Sequence, residues 1–181
     1  MARIEPIRID TTDSQTAATL QAVKGKLGVL PNLIATMAHS PTALHGYLGF
    51  SDAAAKGKLN ARQREVVALA VAQANECAYC LAAHTTIGRG AGLSEAAIQA
   101  ARSGIGGDRQ DAALAELANL LTQQRGRVEY SELARFRAAG FDDAVIIEVV
   151  ALVALNTLTN YINHVADTVV DFPVVDLAVA A

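Results

Sequence analysis

REVVALAVAQANECAYCLAAHTTIGRG, residues 64–90, holds the only two cysteines of the chain, Cys77 and Cys80. His84 follows the second cysteine by four residues and Glu65 precedes the first by twelve, giving Glu-x11-Cys-x-x-Cys-x-x-x-His. Val66, Leu69, Ala70 and Gln73 recur at helical spacing and form one mainly apolar face. Asn60 with Gln63 three residues later reads as a capping box, so a helix runs from there to about residue 74. Asn75-Glu76 breaks it. A second helix starts around Cys77 and runs to about Arg89, where Gly88, Gly90 and Gly92 cluster. On one continuous helix Glu65 would lie roughly 18 Å from Cys77. An antiparallel hairpin turning near Asn75 instead sets residue 65 opposite residue 84 or 85.

The rest of the chain reads as helical scaffold. Its 181 residues suffice for one domain with a core, 1–181. They are 52% apolar, rich in alanine and without tryptophan, which suits close helix packing and an all-α fold. A net charge of −3 with no basic stripe gives nucleic-acid binding no support. No apolar leader opens the sequence, and the apolar run 149–155 is far short of a membrane span, so a cytoplasmic protein with no membrane partner is expected. Residues 1–12 read as an extended arm. Helices are expected over about 14–27, 32–39, 41–56, 94–102 and 108–125, with a loop at 104–107. Ser131 should cap a short helix ending at Gly140. Asp142 should cap a last one to about residue 170, broken near 156–159. That helix is apolar nearly all round between Ala144 and Leu155, which favours burial at the interface of a homo-oligomer. The tail with Pro173 reads as an arm packed on the body or on a neighbouring subunit.

A shift of 83 residues superposes the chain on itself. Gly57 falls on Gly140, and Glu65-Val66-Val67-Ala68-Leu69 falls on Glu148-Val149-Val150-Ala151-Leu152. The cysteines fall on Asn160 and Asn163, and His84 on Asp167. The simplest account is two helical hairpins, a catalytic one at about 57–90 and a degenerate one at about 140–173. In the second, Asn160 and His164 share a helix face. They form either a buried polar network in the second copy or reach the active site across a subunit interface.

Cys77 and Cys80, three apart at a helix start, lie about 5–6 Å apart, within disulfide range. The free N–H groups of a helix N-terminus favour a thiolate there. His84, one turn after Cys80, can take its proton, and Glu65 can orient His84 and stabilise its charged form. Such a thiolate can attack a peroxide oxygen to give a sulfenic acid, which the second cysteine closes to a disulfide. Two other readings stay open. Cys77, Cys80 and His84 could ligate zinc with Glu65 or water as fourth ligand, or the cysteines could be small core residues. Tyr79, between the cysteines, serves packing or walls a pocket. His39 and His45 read as structural.

The Glu65–Cys77–Cys80–His84 motif, with Asn75-Glu76-Cys77, Ala83-His84 and Ala91-Gly92-Leu93-Ser94, resembles the alkylhydroperoxidase D-like (AhpD-like) proteins of the carboxymuconolactone decarboxylase superfamily. The stretch from Leu155-Asn156-Thr157 to Asn160-Tyr161-Ile162-Asn163-His164 is similar to its peroxidase-related branch. The resemblance implies an all-helical fold of repeated helical hairpins, assembled as a homo-oligomer of trimers or hexamers. It implies thiol-dependent reduction of alkyl or hydrogen peroxide with no cofactor, neither haem nor metal, re-reduced by a thiol or lipoyl-type donor. By position, Cys80 is the peroxide-reacting thiol, Cys77 its resolving partner, His84 the proton acceptor and Glu65 the acid/base or relay residue. Where the best-known members carry a histidine between the cysteines, this chain has Tyr79. The alternatives are a cofactor-free lactone decarboxylase using His84 and Glu65, and a non-enzymatic redox-sensing oligomer.

Overall fold

The computed structural model describes residues 1–104 and 107–178. The expected loop at 104–107 and the end of the tail therefore fall partly outside the described residues. Among these, nine α-helices and a 3-10 turn at Ile9–Thr11 make up the regular structure. The helices are α1 Ser14–Leu27, α2 Asn32–Met37, α3 Pro41–Ala54, α4 Ala61–Ala74, α5 Ala78–Gly90, α6 Glu95–Arg102, α7 Arg109–Gln123, α8 Tyr130–Ala138 and α9 Asp143–Ala166.

Side-chain caps set most of the starts, each contributing about 1 kcal/mol. Asp13 accepts from the Gln15 and Thr16 N–H groups, Asn60 and Gln63 form the reciprocal box, and Ser94, Asp108 and Asp142 cap α6, α7 and α9. α8 departs from the expectation. The Glu132 carboxylate accepts the Glu129 N–H at 2.6 Å, so the helix begins ahead of Ser131 rather than after it.

α4 is the axis of the molecule. Seven consecutive residues, Val66 through Ala72, are buried, because α5, α6, α7 and α9 pack around it. Alanine and valine let all four approach closely. α9, expected to need cover from a second subunit, buries Val145, Ile146, Val149, Leu152 and Leu155 within the chain and exposes Ile147, Val150, Leu158, Tyr161 and Val165. By length and composition α9 could cross a membrane, with mean hydropathy 1.8, but half of that stretch is buried against the body.

The break expected at Asn75-Glu76 is present. Glu76 takes a left-handed φ of 53°, Cys77 N–H donates to the Ala72 carbonyl, and the chain reverses into α5. The corresponding break in the second copy is absent: α9 runs unbroken to Ala166. There the Asn156 amide donates to the Leu152 carbonyl and the Thr159 hydroxyl to the Asn156 carbonyl, both at 2.8 Å, so these polar side chains bond along the helix instead of ending it. Residues 140–173 therefore form a straight helix and a tail, not a second hairpin.

Gly57 records how closely the copies meet. A Cβ there would lie 2.6 Å from Glu148 Oε2, whose carboxylate accepts the Lys58 and Leu59 N–H groups. Both chain ends lie on the body. Arg3 N–H donates to the Ala166 carbonyl, Asn32 N–H to the Asp171 carboxylate, and Arg102 to the Asp176 carbonyl.

Candidate active site

The hairpin delivers what its spacing promised. His84 Nδ1 donates to Glu65 Oε2 at 2.8 Å, with their side chains 21% and 14% exposed. Burial opposes a charged imidazole, yet the charge and hydrogen bond of Glu65 outweigh it and raise the His84 pKa. The pair is thus a proton-holding unit bridging the middle of α5 to α4.

At the start of the helix, Cys77 is the N-cap of α5, and its Sγ accepts the Cys80 N–H at 3.4 Å. Both thiols are free and buried. The hydrogen bond from the Cys80 thiol pulls the Cys77 pKa from 9.0 down to about 7 against burial, helped by the Cys80 backbone N–H, the charge of His164 and Asn163. The same bond to Cys77, then burial, then the charge of Cys77 push the Cys80 thiol far above the usual range. The two thiols therefore titrate as a coupled pair in which ionisation of one holds the proton on the other, with the N-cap position favouring the charge on Cys77.

Asn163 comes in from α9 and donates its amide to Cys80 Sγ at 3.2 Å. Asn160 accepts from the Asn75 amide at 2.8 Å and so ties down the turn ahead of Cys77. Of the alternatives left open for the second copy, Asn163 is the residue that reaches the thiols, within the same chain. His164 is exposed on the rim of the cavity that Cys77 lines, and makes no hydrogen bond to either sulfur. His39 bonds the Glu5 carbonyl and His45 the Thr19 hydroxyl, both structural contacts.

Tyr79 is anchored rather than poised. Its hydroxyl accepts the Leu33 N–H at 3.2 Å and its ring meets Phe172 edge-on, centroids 5.7 Å apart. Burial pushes its pKa well above the phenol range, so it stays neutral and ties α2 and the tail to α5. Among the described residues, no three His, Cys, Asp or Glu side chains gather into a metal-ligating group, so the zinc reading lacks its geometry.

Two cavities meet the cysteine pair. One, of about 320 Å³, is lined by Cys80, His84 and Glu65 and walled by apolar groups including Leu33, Leu152 and Phe172. The other, of about 420 Å³, is lined by Cys77 but not Cys80. Tyr79 lines both and stands between them. Sequence reasoning missed Tyr47 on the first cavity, where it is buried enough for its pKa to rise, with Cys80 and Glu65 adding to the effect. No local motif marks it, since α3 reaches the site only by packing.

Residues 41–123 match the model of the carboxymuconolactone decarboxylase family. The fold is similar to an uncharacterized peroxidase-related protein with an alkylhydroperoxidase AhpD core from Ralstonia eutropha JMP134, at TM-score 0.85 and 21% identity, covering 94% of this chain and 92% of that one. A peroxidase-related protein from Silicibacter sp. TM1040 follows at TM-score 0.80, with 19% identity over 92% and 91%. The debrominase Bmp8, solved with 2,3,4-tribromopyrrole, superposes at TM-score 0.79 with 17% identity over 93% and 91%. No curated protein sequence matches the chain.

Proposed function

We propose that the chain is an AhpD-like member of the carboxymuconolactone decarboxylase superfamily, and that it is a thiol-dependent peroxidase acting on organic hydroperoxides. The observation that carries this reading is the placement of Cys80 in an apolar cavity beside the His84–Glu65 pair, with Cys77 within hydrogen-bonding distance behind it.

The resting Cys77 thiolate takes the proton of Cys80 as substrate arrives. The Cys80 thiolate attacks the terminal peroxide oxygen, the O–O bond breaks, and the departing alkoxide takes a proton from the His84 imidazolium held by Glu65. Cys80 is then a sulfenic acid. Cys77 attacks its sulfur, water leaves, and a Cys77–Cys80 disulfide forms. A dithiol reopens it. The apolar walls favour an alkyl or aryl hydroperoxide over hydrogen peroxide. Replacing Cys80 by Ser should abolish cumene hydroperoxide consumption with dithiothreitol as donor; unchanged turnover would overturn the proposal.

The aromatic walls Tyr47, Tyr79 and Phe172 favour one second reading, reductive removal of halogen from a small ring by the same thiols. Bromide release from a brominated pyrrole, measured beside peroxide consumption, separates the two. The chain assembles as a homo-oligomer through α9 in this reading. Its exposed apolar residues Ile147, Val150, Leu158, Tyr161 and Val165 fall on one face of the helix.

A further inference from the structure

The second cavity lies on the Cys77 side of the pair and has no part in the peroxide step. Its rim is Glu76, Ala78, His164 and Asp167, all exposed. Its floor is Cys77, Asn163 and Thr168, which are 1%, 4% and 8% exposed. Asn163 Oδ1 and Thr168 Oγ1 are buried without a hydrogen-bond partner. Both atoms are sealed from solvent and so are not offered to a ligand; what the cavity does offer is the Cys77 sulfur in its floor.

We propose that this cavity is the docking site of a dithiol reductant, which attacks Cys77 Sγ from the side away from the peroxide pocket. The proposal rests on the thiol-peroxidase reading above. Cys77 sits at the bottom of the cavity, so a slender dithiol chain can reach it and a flat protein surface cannot. The carboxylates of Glu76 and Asp167 on the rim disfavour anionic thiols.

The chemistry runs in two exchanges. A donor thiolate bonds to Cys77 Sγ, the Cys77–Cys80 bond breaks, and its electron pair leaves on Cys80, where the Asn163 amide at 3.2 Å stabilises it. The donor's second thiol then attacks its own sulfur in that mixed disulfide. The bond to Cys77 breaks, and the donor departs as a cyclic disulfide. Two electrons pass to the protein. Of the two donor protons, one ends on Cys80 and the other goes to solvent, leaving Cys77 as thiolate. Two of the three causes that raise the Cys80 pKa are Cys77 itself, so tying Cys77 into a neutral mixed disulfide makes Cys80 a better leaving group.

The two cavities make the half-reactions separable. Ala78→Trp on the exposed rim fills the second cavity, and Ile87→Trp on the wall of the first is its counterpart. Diamide-oxidised A78W should be reduced by dithiothreitol about tenfold or more slowly than wild type, and its reduced form should be oxidised by cumene hydroperoxide within about twofold of the wild-type rate. I87W should show the reverse. In the wild-type protein, oxidised and treated with mercaptoethanol, peptide mass spectrometry should find the adduct on Cys77. An adduct on Cys80, or normal reduction of A78W, overturns the docking site while leaving the peroxidase reading standing. If diamide forms no Cys77–Cys80 disulfide, both fall. If the disulfide forms and is reduced from the Cys77 side but peroxide is not consumed, only the peroxidase reading falls.

Discussion

Replacing Cys80 by Ala removes the hydrogen bond that does most to keep Cys77 ionised, and leaves the Cys80 backbone N–H in place. The full displacement of Cys77, from 9.0 to about 7, corresponds to about 3 kcal/mol. Loss of its largest cause should return the Cys77 pKa toward 9. At pH 7 the wild-type thiolate fraction is about one half, against about one hundredth for a thiol of pKa 9, while the lower basicity costs about eightfold in nucleophilicity, so alkylation at pH 7 should slow about sixfold in the variant. The assay is thiolate absorbance and iodoacetamide reactivity across pH 5–10. The wild type should show a single thiolate's amplitude over that range, because Cys80 holds its proton throughout. In the reciprocal Cys77→Ala protein, Cys80 loses two of its three upward influences and should titrate at lower pH than in the wild type. A C80A protein that still titrates near 7, or a wild-type amplitude of two thiolates, would refute the shared-proton description. Linkage gives the same pair a stability signature. A group with a depressed folded pKa stabilises above its unfolded value and loses that contribution as pH falls through about 7.

Glu65→Gln removes the influence that raises the His84 pKa; such a group stabilises fully below its unfolded pKa and loses the effect as pH rises through the folded one. Urea unfolding should therefore show E65Q destabilised by about 1.5–3 kcal/mol near pH 6, with the gap narrowing by pH 9. Asn163→Leu deletes the donor to Cys80 and should lower peroxide kcat/KM about tenfold, yet change Tm little, because its Oδ1 is buried without a partner. Equal losses of activity and stability would make Asn163 a packing residue. Leu158→Asp with Tyr161→Glu should convert an oligomer to monomer by light scattering without changing the far-ultraviolet spectrum; unchanged mass would exclude α9 as the interface.

The catalytic hairpin was legible because its signals are local. Asn60, Gln63, the Asn75-Glu76 break and the cysteine spacing lie in one short stretch, and each has a direct structural consequence. The Glu65–His84 contact followed from the placement of the turn. Two features were not legible. Tyr47 joins the site through packing of a distant helix, which leaves no trace in the sequence, and the 83-residue shift marked Asn163 as the counterpart of Cys80 without showing that the two would touch. The apolar character of α9 pointed to a subunit interface, and in the single chain one apolar face of it is left exposed, while α4 took the central place through its smaller side chains.

The second copy is not chemically silent. In the first copy a left-handed Glu76 ends α4 and creates a helix start whose N–H groups meet Cys77. In the second, α9 runs through the equivalent position, so no N–H groups are freed and a thiol there would have nothing to lower its pKa. Asparagine suits such a helix interior, and both asparagines at the cysteine-equivalent positions point back into the first copy. Asn160 bonds Asn75 and holds the turn. Asn163 bonds Cys80, its own counterpart 83 residues earlier. The two copies therefore meet at equivalent positions, with the reactive sulfur on one side and its hydrogen-bond donor on the other. Loss of the break in one copy is what left it a rigid donor for the other, and a break restored at 158–160 should weaken the site even with every cysteine in place.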